Sequence, residues 1–367
     1  MIAVKNLIKI FRKAKINFFT GVPDSILKNF SNYLDKSKII KKNVIAVNEG
    51  SAVSIGIGYY LATKKIPCVY LQNSGLGNAI NPLVSIADKT VYSIPLFLLI
   101  GWRGSPNSHD EPQHNAKGKI TKNLLKLLKI DYCIINNNKD LYKISKLIKK
   151  SYKKKCVVAC LVKKNTLQNV KKKKFNSTNT ILRSDFIKNF LEEIPKKSKI
   201  ISTTGYTSRE LLEIRKKHQL KNGKDFYMVG GMGHSSSVAL GYAIKSKKEI
   251  FCLDGDGAML MHLGSLRTIG FLKEKNFKHI LFNNNSHESV GGQITNAEGI
   301  NFKKLSDSLG YKNYFIVKNK FQLNSIIKKF ISSKGPSLLE VKIKTASLPK
   351  LSRPKNLIDI KKNFLLN

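Results

Sequence analysis

The segment IFCLDGDGAMLMHLG, residues 250–264, places two carboxylates at the end of a short apolar run. Asp254 and Asp256 alternate with Gly255 and Gly257, so the backbone can turn sharply and approach a ligand closely. A carboxylate at the end of a buried strand is costly unless a positive group lies beside it. The pattern therefore predicts a positive partner for these acids.

A second apolar run supplies further oxygen ligands. HILFNN, residues 279–284, ends in Asn284, and Ser286 follows. Ligands of open α/β sheets lie beyond the carboxyl ends of the strands, so the Asp256 carboxylate, the Asn284 amide oxygen and the Ser286 main-chain carbonyl are expected to meet. Three hard oxygen ligands leave half of an octahedron open, which suits Mg²⁺ bridging to phosphates. A helix-capping aspartate followed by an unrelated asparagine-rich turn is the alternative.

A different enzyme class also fits part of the sequence. GGMGHSS, residues 230–236, follows the apolar run FYMV and approximates a Gly-x-Gly-x-x-small dinucleotide fingerprint, with Asp254 placed like a ribose-binding acid. A nicotinamide-dependent dehydrogenase is therefore the competing interpretation. In the first half, Glu49 follows the run VIAV, residues 44–47, and opens a small-residue helix, where a favourable interaction with the helix dipole would explain it.

Strand-like runs alternate with helical patterns along the whole chain. The candidate strands are residues 44–47, 68–72, 96–102, 156–162, 226–229, 250–253, 279–284 and 337–343. This alternation predicts an α/β protein with two domains, each a mostly parallel sheet flanked by helices. We predict the domains at 1–165 and 183–367, separated by a lysine-rich linker at 166–182.

The composition favours a globular, cytoplasmic protein. The 367-residue chain is 42% hydrophobic, has no apolar run long enough to span a bilayer, and begins with an amphipathic helix pattern instead of a signal peptide. Its five cysteines form no Cys-x-x-Cys pair, as expected of a reduced protein. The net charge of +43 comes from lysine, 59 of 66 basic residues, scattered along the chain. Because bidentate recognition prefers arginine, we expect no specific nucleic acid as partner. The lack of a long apolar run predicts no membrane as partner.

Together these motifs resemble the thiamine diphosphate-dependent enzymes, whose pyrophosphate site combines Gly-Asp-Gly with a later double asparagine. Here Asn284 follows Asp256 by 28 residues. The resemblance implies thiamine diphosphate and Mg²⁺ as cofactors, with Asp256, Asn284 and Ser286 as metal ligands. The cofactor-binding residues that it implies are Glu49, Gly231, Met232, Gly233, His234, Gly255, Asp256, Gly257, Ala258, Asn284 and Ser286.

The resemblance also implies roles for two of these residues. Glu49 is the acid that activates the aminopyrimidine ring, a residue for which a dehydrogenase has no use. Met232 is the apolar wedge beneath the cofactor, with a core methionine as the alternative. The pyrimidine-type half comes first, as in the decarboxylase branch, and the chain leaves no room for the middle domain of large decarboxylases.

Stretches such as TGVPDS (20–25) and LIGWRGSPNSHDEPQH (99–114) extend the resemblance to decarboxylases that act on a doubly anionic 2-oxo acid. The resemblance implies decarboxylation of phosphonopyruvate to phosphonoacetaldehyde and CO₂ in aminoethylphosphonate biosynthesis, with sulfopyruvate as the alternative. The expected substrate-binding residues are Ser25, Asn73, Ser74, Arg103 and His109. An ion pair with Asp110 or Glu111 is the alternative explanation of Arg103.

The expected catalytic residues are Glu49, His114 and Glu288. The last two are candidates for proton transfer after CO₂ leaves. The chain departs from the broader pyruvate-type pattern, since it has a lone His114 in place of a histidine pair and Ser25 beside Asp24 in place of an acid. By the same resemblance, active sites form between the chains of a homodimer or homotetramer.

Overall fold

A computed structural model describes residues 1–37, 43–108, 110–171, 179–218 and 225–366. The chain divides into two compact units. The first comprises Met1–Lys174 with Ser289–Gln293, and the second comprises Phe175–Glu288 with Ile294–Asn367. The main division falls inside the segment predicted as the linker, whereas the predicted limits of the two domains stay predictions.

The first unit contains a six-stranded sheet of order β2-β1-β3-β4-β6-β5, in which every pairing is parallel. Its strands are β1 (Phe19–Gly21), β2 (Asn43–Ile45), β3 (Cys68–Gln72), β4 (Phe97–Gly101), β5 (Asp131–Ile135) and β6 (Val158–Val162). Its helices are α1 (Val4–Lys13), α2 (Lys28–Lys36), α3 (Glu49–Thr63), α4 (Leu76–Pro82), α5 (Pro112–Leu127) and α6 (Leu141–Lys154). The amphipathic α1 buries its apolar face, as its lysine spacing predicted.

Both faces of this sheet are covered, because successive residues of a strand point to opposite sides. In β3, Cys68 and Tyr70 belong to one apolar core, whereas Val69 and Leu71 belong to another. Apolar runs such as β3, β4 and β6 can be buried on both sides only in a parallel sheet flanked by helices.

The second unit repeats this architecture with the order β11-β12-β10-β9-β7-β8, again parallel throughout. Its strands are β7 (Lys199–Ser202), β8 (Asp225–Tyr227), β9 (Ile250–Gly255), β10 (Phe277–Asn283), β11 (Asn313–Val317) and β12 (Ser337–Lys342). Its helices are α7 (Arg183–Glu193), α8 (Tyr206–Lys217), α9 (Ser235–Ala243), α10 (Asp256–Met261), α11 (Ser265–Leu272), α12 (Phe302–Leu309), α13 (Leu323–Ser332) and α14 (Leu357–Leu365).

The two faces of the second sheet differ in polarity. Phe251 and Leu253 of β9 lie in an apolar core, whereas Cys252 and Asp254 lie on the opposite face and are also fully buried. The predicted fold class, two parallel sheets flanked by helices, is confirmed. Among the described helices, none combines the length and apolarity that crossing a membrane requires.

Candidate active site

Asp256 is the first residue of α10, directly after β9. Its side chain is buried, and it accepts hydrogen bonds from the Gly257 N–H at 2.7 Å and the Thr295 hydroxyl at 3.1 Å. Burial raises the pKa of this carboxyl to about 6, because water no longer stabilises its charge. No basic side chain in the described part of the chain forms an ion pair with Asp256. The site therefore fits a cation.

Asn284 follows the neighbouring strand β10 at the same edge of the sheet. Its amide nitrogen donates to Glu288 Oε2 at 3.2 Å, and that oxygen also accepts from the buried guanidinium of Arg183 at 2.8 Å. The amide oxygen accepts from the Ser286 N–H at 3.0 Å, which leaves its second lone pair for another partner. The contacts favour Glu288 as a residue that positions Asn284, while its predicted role in proton transfer stays a prediction.

The turn after Asn284 offers further oxygens. The Ser286 carbonyl accepts from the Glu288 N–H at 2.8 Å, which leaves its second lone pair for another partner. Asn285 adopts the left-handed conformation, with φ of 55°. The buried Asn285 Oδ1 and Ser286 Oγ have no hydrogen-bond partner within the part of the chain that the structure describes. Such a set of unsatisfied oxygens beside a buried carboxylate suits a hard cation such as Mg²⁺.

The glycine turn after β8 packs against α10. Gly231 and Gly233 have φ of 65° and 88°, which favour glycine, and a Cβ on Gly233 would lie 2.7 Å from the His262 ring. The ring centroids of His234 and His262 are 4.4 Å apart. Burial, with a smaller contribution from His234, lowers the pKa of His262. The structure thus brings the predicted turn, Gly231–His234, to the Gly-Asp-Gly helix, while the wedge role of Met232 stays a prediction.

In the first unit, Glu49 is the first residue of α3 and is 5% exposed. Asn78 donates to its Oε2 at 2.7 Å, whereas Oε1 lies against Gly75 so closely that a Cβ there would overlap it. Capping of α3 is performed by Asn48, which accepts from the Ser51 N–H at 2.8 Å. A specific partner therefore holds the Glu49 carboxylate. An acid that only interacted with the helix dipole would not need such a partner.

Helix α5 places His114 and Lys117 one turn apart, and His114 is buried. Burial lowers the pKa of Lys117, and the nearby Glu49 carboxylate opposes that shift. The helix is fixed to the loop after β4, because Gly104 and Gly118 meet backbone to backbone. Sequence reasoning missed Lys117, which no local motif distinguishes from the other lysines.

Arg103 follows β4, and its guanidinium is committed within the unit. It binds both carboxylate oxygens of Asp110 and donates to Ser25 Oγ at 2.8 Å. Although burial acts in the opposite direction, the hydrogen bonds from Arg103 lower the pKa of Asp110. The ion pair that the sequence offered as the alternative is present, and substrate binding by Arg103 stays a prediction.

Two other predicted substrate residues also have partners. The Asn73 amide donates to the Arg103 carbonyl at 2.9 Å and accepts from the Arg103 N–H at 3.0 Å, and Ser74 donates to Gln72 at 2.8 Å. The Gln72 amide also donates to Asp24, a buried acid whose pKa burial raises. Predicted residue His109 lies outside the described residues.

Comparison with known proteins agrees with this geometry. Residues 1–126 match the N-terminal TPP binding domain of thiamine pyrophosphate (diphosphate) enzymes, and residues 203–341 match the C-terminal TPP binding domain. The two matches define a thiamine diphosphate-binding enzyme, which excludes the dehydrogenase interpretation.

Relatives that match over nearly their full length narrow the class of enzyme. The chain is 30% identical to phosphonopyruvate decarboxylase of Streptomyces viridochromogenes over 97% of this chain and 92% of that protein. It is 27% identical to the phosphonopyruvate decarboxylase of Streptomyces hygroscopicus, over 97% and 91%. It is 26% identical to sulfopyruvate decarboxylase of Methanosarcina acetivorans, over 93% and 91%. The chain belongs to the family of thiamine diphosphate-dependent 2-oxo acid decarboxylases, as its motifs predicted.

Proposed function

We propose that this chain decarboxylates phosphonopyruvate to phosphonoacetaldehyde and CO₂, using thiamine diphosphate with Mg²⁺. The observation that carries this substrate assignment is the similarity, over nearly both full lengths, to a protein named phosphonopyruvate decarboxylase. Sulfopyruvate is the second candidate, because a relative named for that activity also matches over 93% of the chain.

In this proposal Asp256, Asn284 and the Ser286 carbonyl hold Mg²⁺. A cation removes the cost of the buried Asp256 charge, and Glu288 keeps the Asn284 oxygen presented to it. When bound, thiamine diphosphate supplies a nucleophilic carbon for addition to the keto group and an electron sink for loss of CO₂. Glu49 holds a proton at Oε1, since Oε2 is already bonded to Asn78 and Oε1 has no hydrogen-bond partner among the described residues.

The anionic end of the substrate is assigned to the polar cluster of the first unit. Asp110 and Ser25 orient Arg103 and use three of its five N–H groups, which leaves one N–H on each terminal nitrogen for a phosphonate. The charge of Arg103 is balanced by Asp110, whereas Lys117 is a second cation of the first unit that is close enough to interact with the Glu49 carboxylate. Lys117 is half-buried and its pKa is lowered, so it suits the stabilisation of a charge that forms briefly during the reaction better than the permanent binding of an anion.

Phosphorus NMR of the purified protein with phosphonopyruvate, thiamine diphosphate and Mg²⁺ tests the substrate. We expect a phosphonoacetaldehyde signal that disappears without Mg²⁺, and a slower release of CO₂ from sulfopyruvate in a parallel assay. Faster turnover of sulfopyruvate would reverse the substrate assignment and leave the cofactor assignment intact.

We further propose that active sites form between chains of a homodimer or homotetramer. Helix α3 is apolar on its outer face as well, where Ile55 and Leu61 are 36% and 65% exposed. An apolar outer face on a helix requires a covering partner. An open groove of about 580 Å³ lies between α3 and residues 81–86, next to Glu49.

Mixing two inactive variants tests this arrangement. If each site takes Glu49 from one chain and Asp256 from the other, a mixed dimer of Glu49→Gln and Asp256→Ala chains contains one intact site. Random reassociation should then restore about one quarter of the wild-type activity. No recovery, with mixed dimers shown by mass spectrometry, would place both residues of a site on one chain.

A further inference from the structure

The candidate magnesium site leaves Asp254 unexplained. This first acid of the Asp-Gly-Asp-Gly turn lies on β9 and is fully buried, as is Cys252 on the same face of the strand. His279 on β10 is paired in register with Cys252 and is also fully buried. The sheet therefore gathers a thiol, a carboxylate and an imidazole in the interior of the second unit.

The ligand atoms of these three residues converge. The Cys252 sulfur, an Asp254 carboxylate oxygen and a His279 ring nitrogen all lie within 4.8 Å of one another. Asp254 Oδ2 and His279 Nε2 are 3.5 Å apart, and each is buried with no hydrogen-bond partner in residues 225–366 or the other described segments. The two unsatisfied atoms thus face a common point.

The remaining polar atoms of the same side chains are fixed. Asp254 Oδ1 accepts from the Gly255 N–H at 2.9 Å, and His279 Nδ1 is hydrogen-bonded to the Tyr311 hydroxyl at 3.0 Å. Metal-binding carboxylates and histidines are typically oriented in this way by a bond at the atom that does not face the metal.

A direct ion pair explains the cluster less well. A hydrogen bond between imidazolium and carboxylate closes to about 2.8 Å, whereas a gap of 3.5 Å leaves two buried atoms unsatisfied. Ligand atoms bound to one tetrahedral ion at ordinary zinc distances are separated by roughly 3.5 Å.

We propose that Cys252, Asp254 and His279 bind a divalent transition metal, with Zn²⁺ as the best fit, separate from the magnesium ligands. Sulfur and imidazole nitrogen select zinc over the hard cations Mg²⁺ and Ca²⁺. Ser235, a buried hydroxyl beside the Cys252 thiol, is the candidate for the fourth position. Because all ligands are buried, the ion enters as the domain folds and stabilises the folded state.

Cobalt substitution combined with elemental analysis tests this site. Full-length protein produced with Co²⁺ and gel-filtered in Mg²⁺ buffer should retain about one Co²⁺ per chain and show thiolate-to-cobalt absorption. Cys252→Ser should remove the absorption band, and His279→Gln should lower the metal content at least tenfold. Cys160→Ser, which changes a buried cysteine of the first unit, is the matched control and should keep both signals.

A second measurement covers the case in which a variant does not fold. Removal of the ion from the wild-type protein with a zinc chelator should lower the melting temperature, and one equivalent of Zn²⁺ should restore it in the presence of Mg²⁺. Asp256→Ala should retain Co²⁺ even though it loses the cofactor. The zinc proposal and the magnesium proposal can therefore be tested separately. No stoichiometric transition metal, or an unchanged absorption band in Cys252→Ser, would overturn the proposal.

Discussion

At the carboxyl edge of the first sheet, buried acids have partners within the unit: Asp110 binds Arg103, and Glu49 is held by Asn78. At the same edge of the second sheet, Asp256 has hydroxyl and N–H donors but no basic partner among the described residues. The first half-site is therefore organised by its own side chains. The site of the second unit is proposed to need a bound cation, so we expect it to be more sensitive to loss of its ligand.

The largest effect is expected from Asp256→Ala, which removes the charged ligand. Cofactor affinity measured by calorimetry with Mg²⁺ should fall by more than about 100-fold, and turnover should be lost.

Without cofactor, Asp256→Asn should raise the free energy of unfolding by roughly 1–3 kcal/mol at neutral pH, because it removes an unpaired buried charge. A variant less stable than the wild type without cofactor would show that the charge is already compensated within the protein.

Glu49→Gln tests the first half-site, where the structure predicts a defect in chemistry and not in binding. Turnover should fall by roughly 10²–10⁴-fold, because the amide cannot exchange the proton at Oε1. Cofactor affinity should stay near that of the wild type, since Asn78 can still hold the side chain. Near-normal turnover would eliminate Glu49 as the proton-transfer residue.

A smaller effect is expected from displacing Glu49 without removing it. A Cβ on Gly75 would overlap Oε1, whereas one on Gly77 would meet nothing within 4 Å. Gly75→Ala should lower turnover by roughly 10–100-fold through misplacement of the acid, with little change in melting temperature. Gly77→Ala is the matched control, and equal activities in the two variants would mean that the position of Oε1 is not critical.

The smallest effect is expected from the pH dependence of Asp24. Burial raises the pKa of this carboxyl above its ordinary value of 3.8. Its contribution to stability is thus complete below that pH and is lost as pH rises through the folded-state pKa. Asp24→Asn should therefore gain stability relative to the wild type between acidic and neutral pH, measured by urea unfolding. A difference that is independent of pH would indicate that another group dominates.

Much of the fold follows from local sequence. The predicted runs 68–72 and 96–102 contain β3 and β4, because fully buried parallel strands are continuously apolar. Strands β5 and β11 were missed, since edge strands are only half buried and carry weaker apolar patterns. The buried β7 was missed because only two of its four residues are apolar. The three-residue β1 is too short for a pattern, although it lies between β2 and β3.

The part of the candidate site that lies directly after predicted strands could be found from the sequence. Asp256 and Asn284 follow strands that are neighbours in the sheet, so the ends of the predicted strands were enough to predict that these residues lie at the same edge. Asn78 and Lys117 could not be found in this way, because both approach Glu49 from separate helices. The Arg103–Asp110 pair was anticipated as an alternative, but only its geometry shows that the guanidinium is already engaged.

The contact between Gly104 and Gly118 has a consequence for how substrate preference changes in this family. The two backbones are too close to admit a side chain between them, and the Trp102 indole holds them together by a hydrogen bond to the Gly118 carbonyl at 3.0 Å. Arg103 and the start of α5 consequently form one rigid template. We expect related enzymes to switch between anions by exchanging side chains on this template, since its frame leaves little freedom for adjustment.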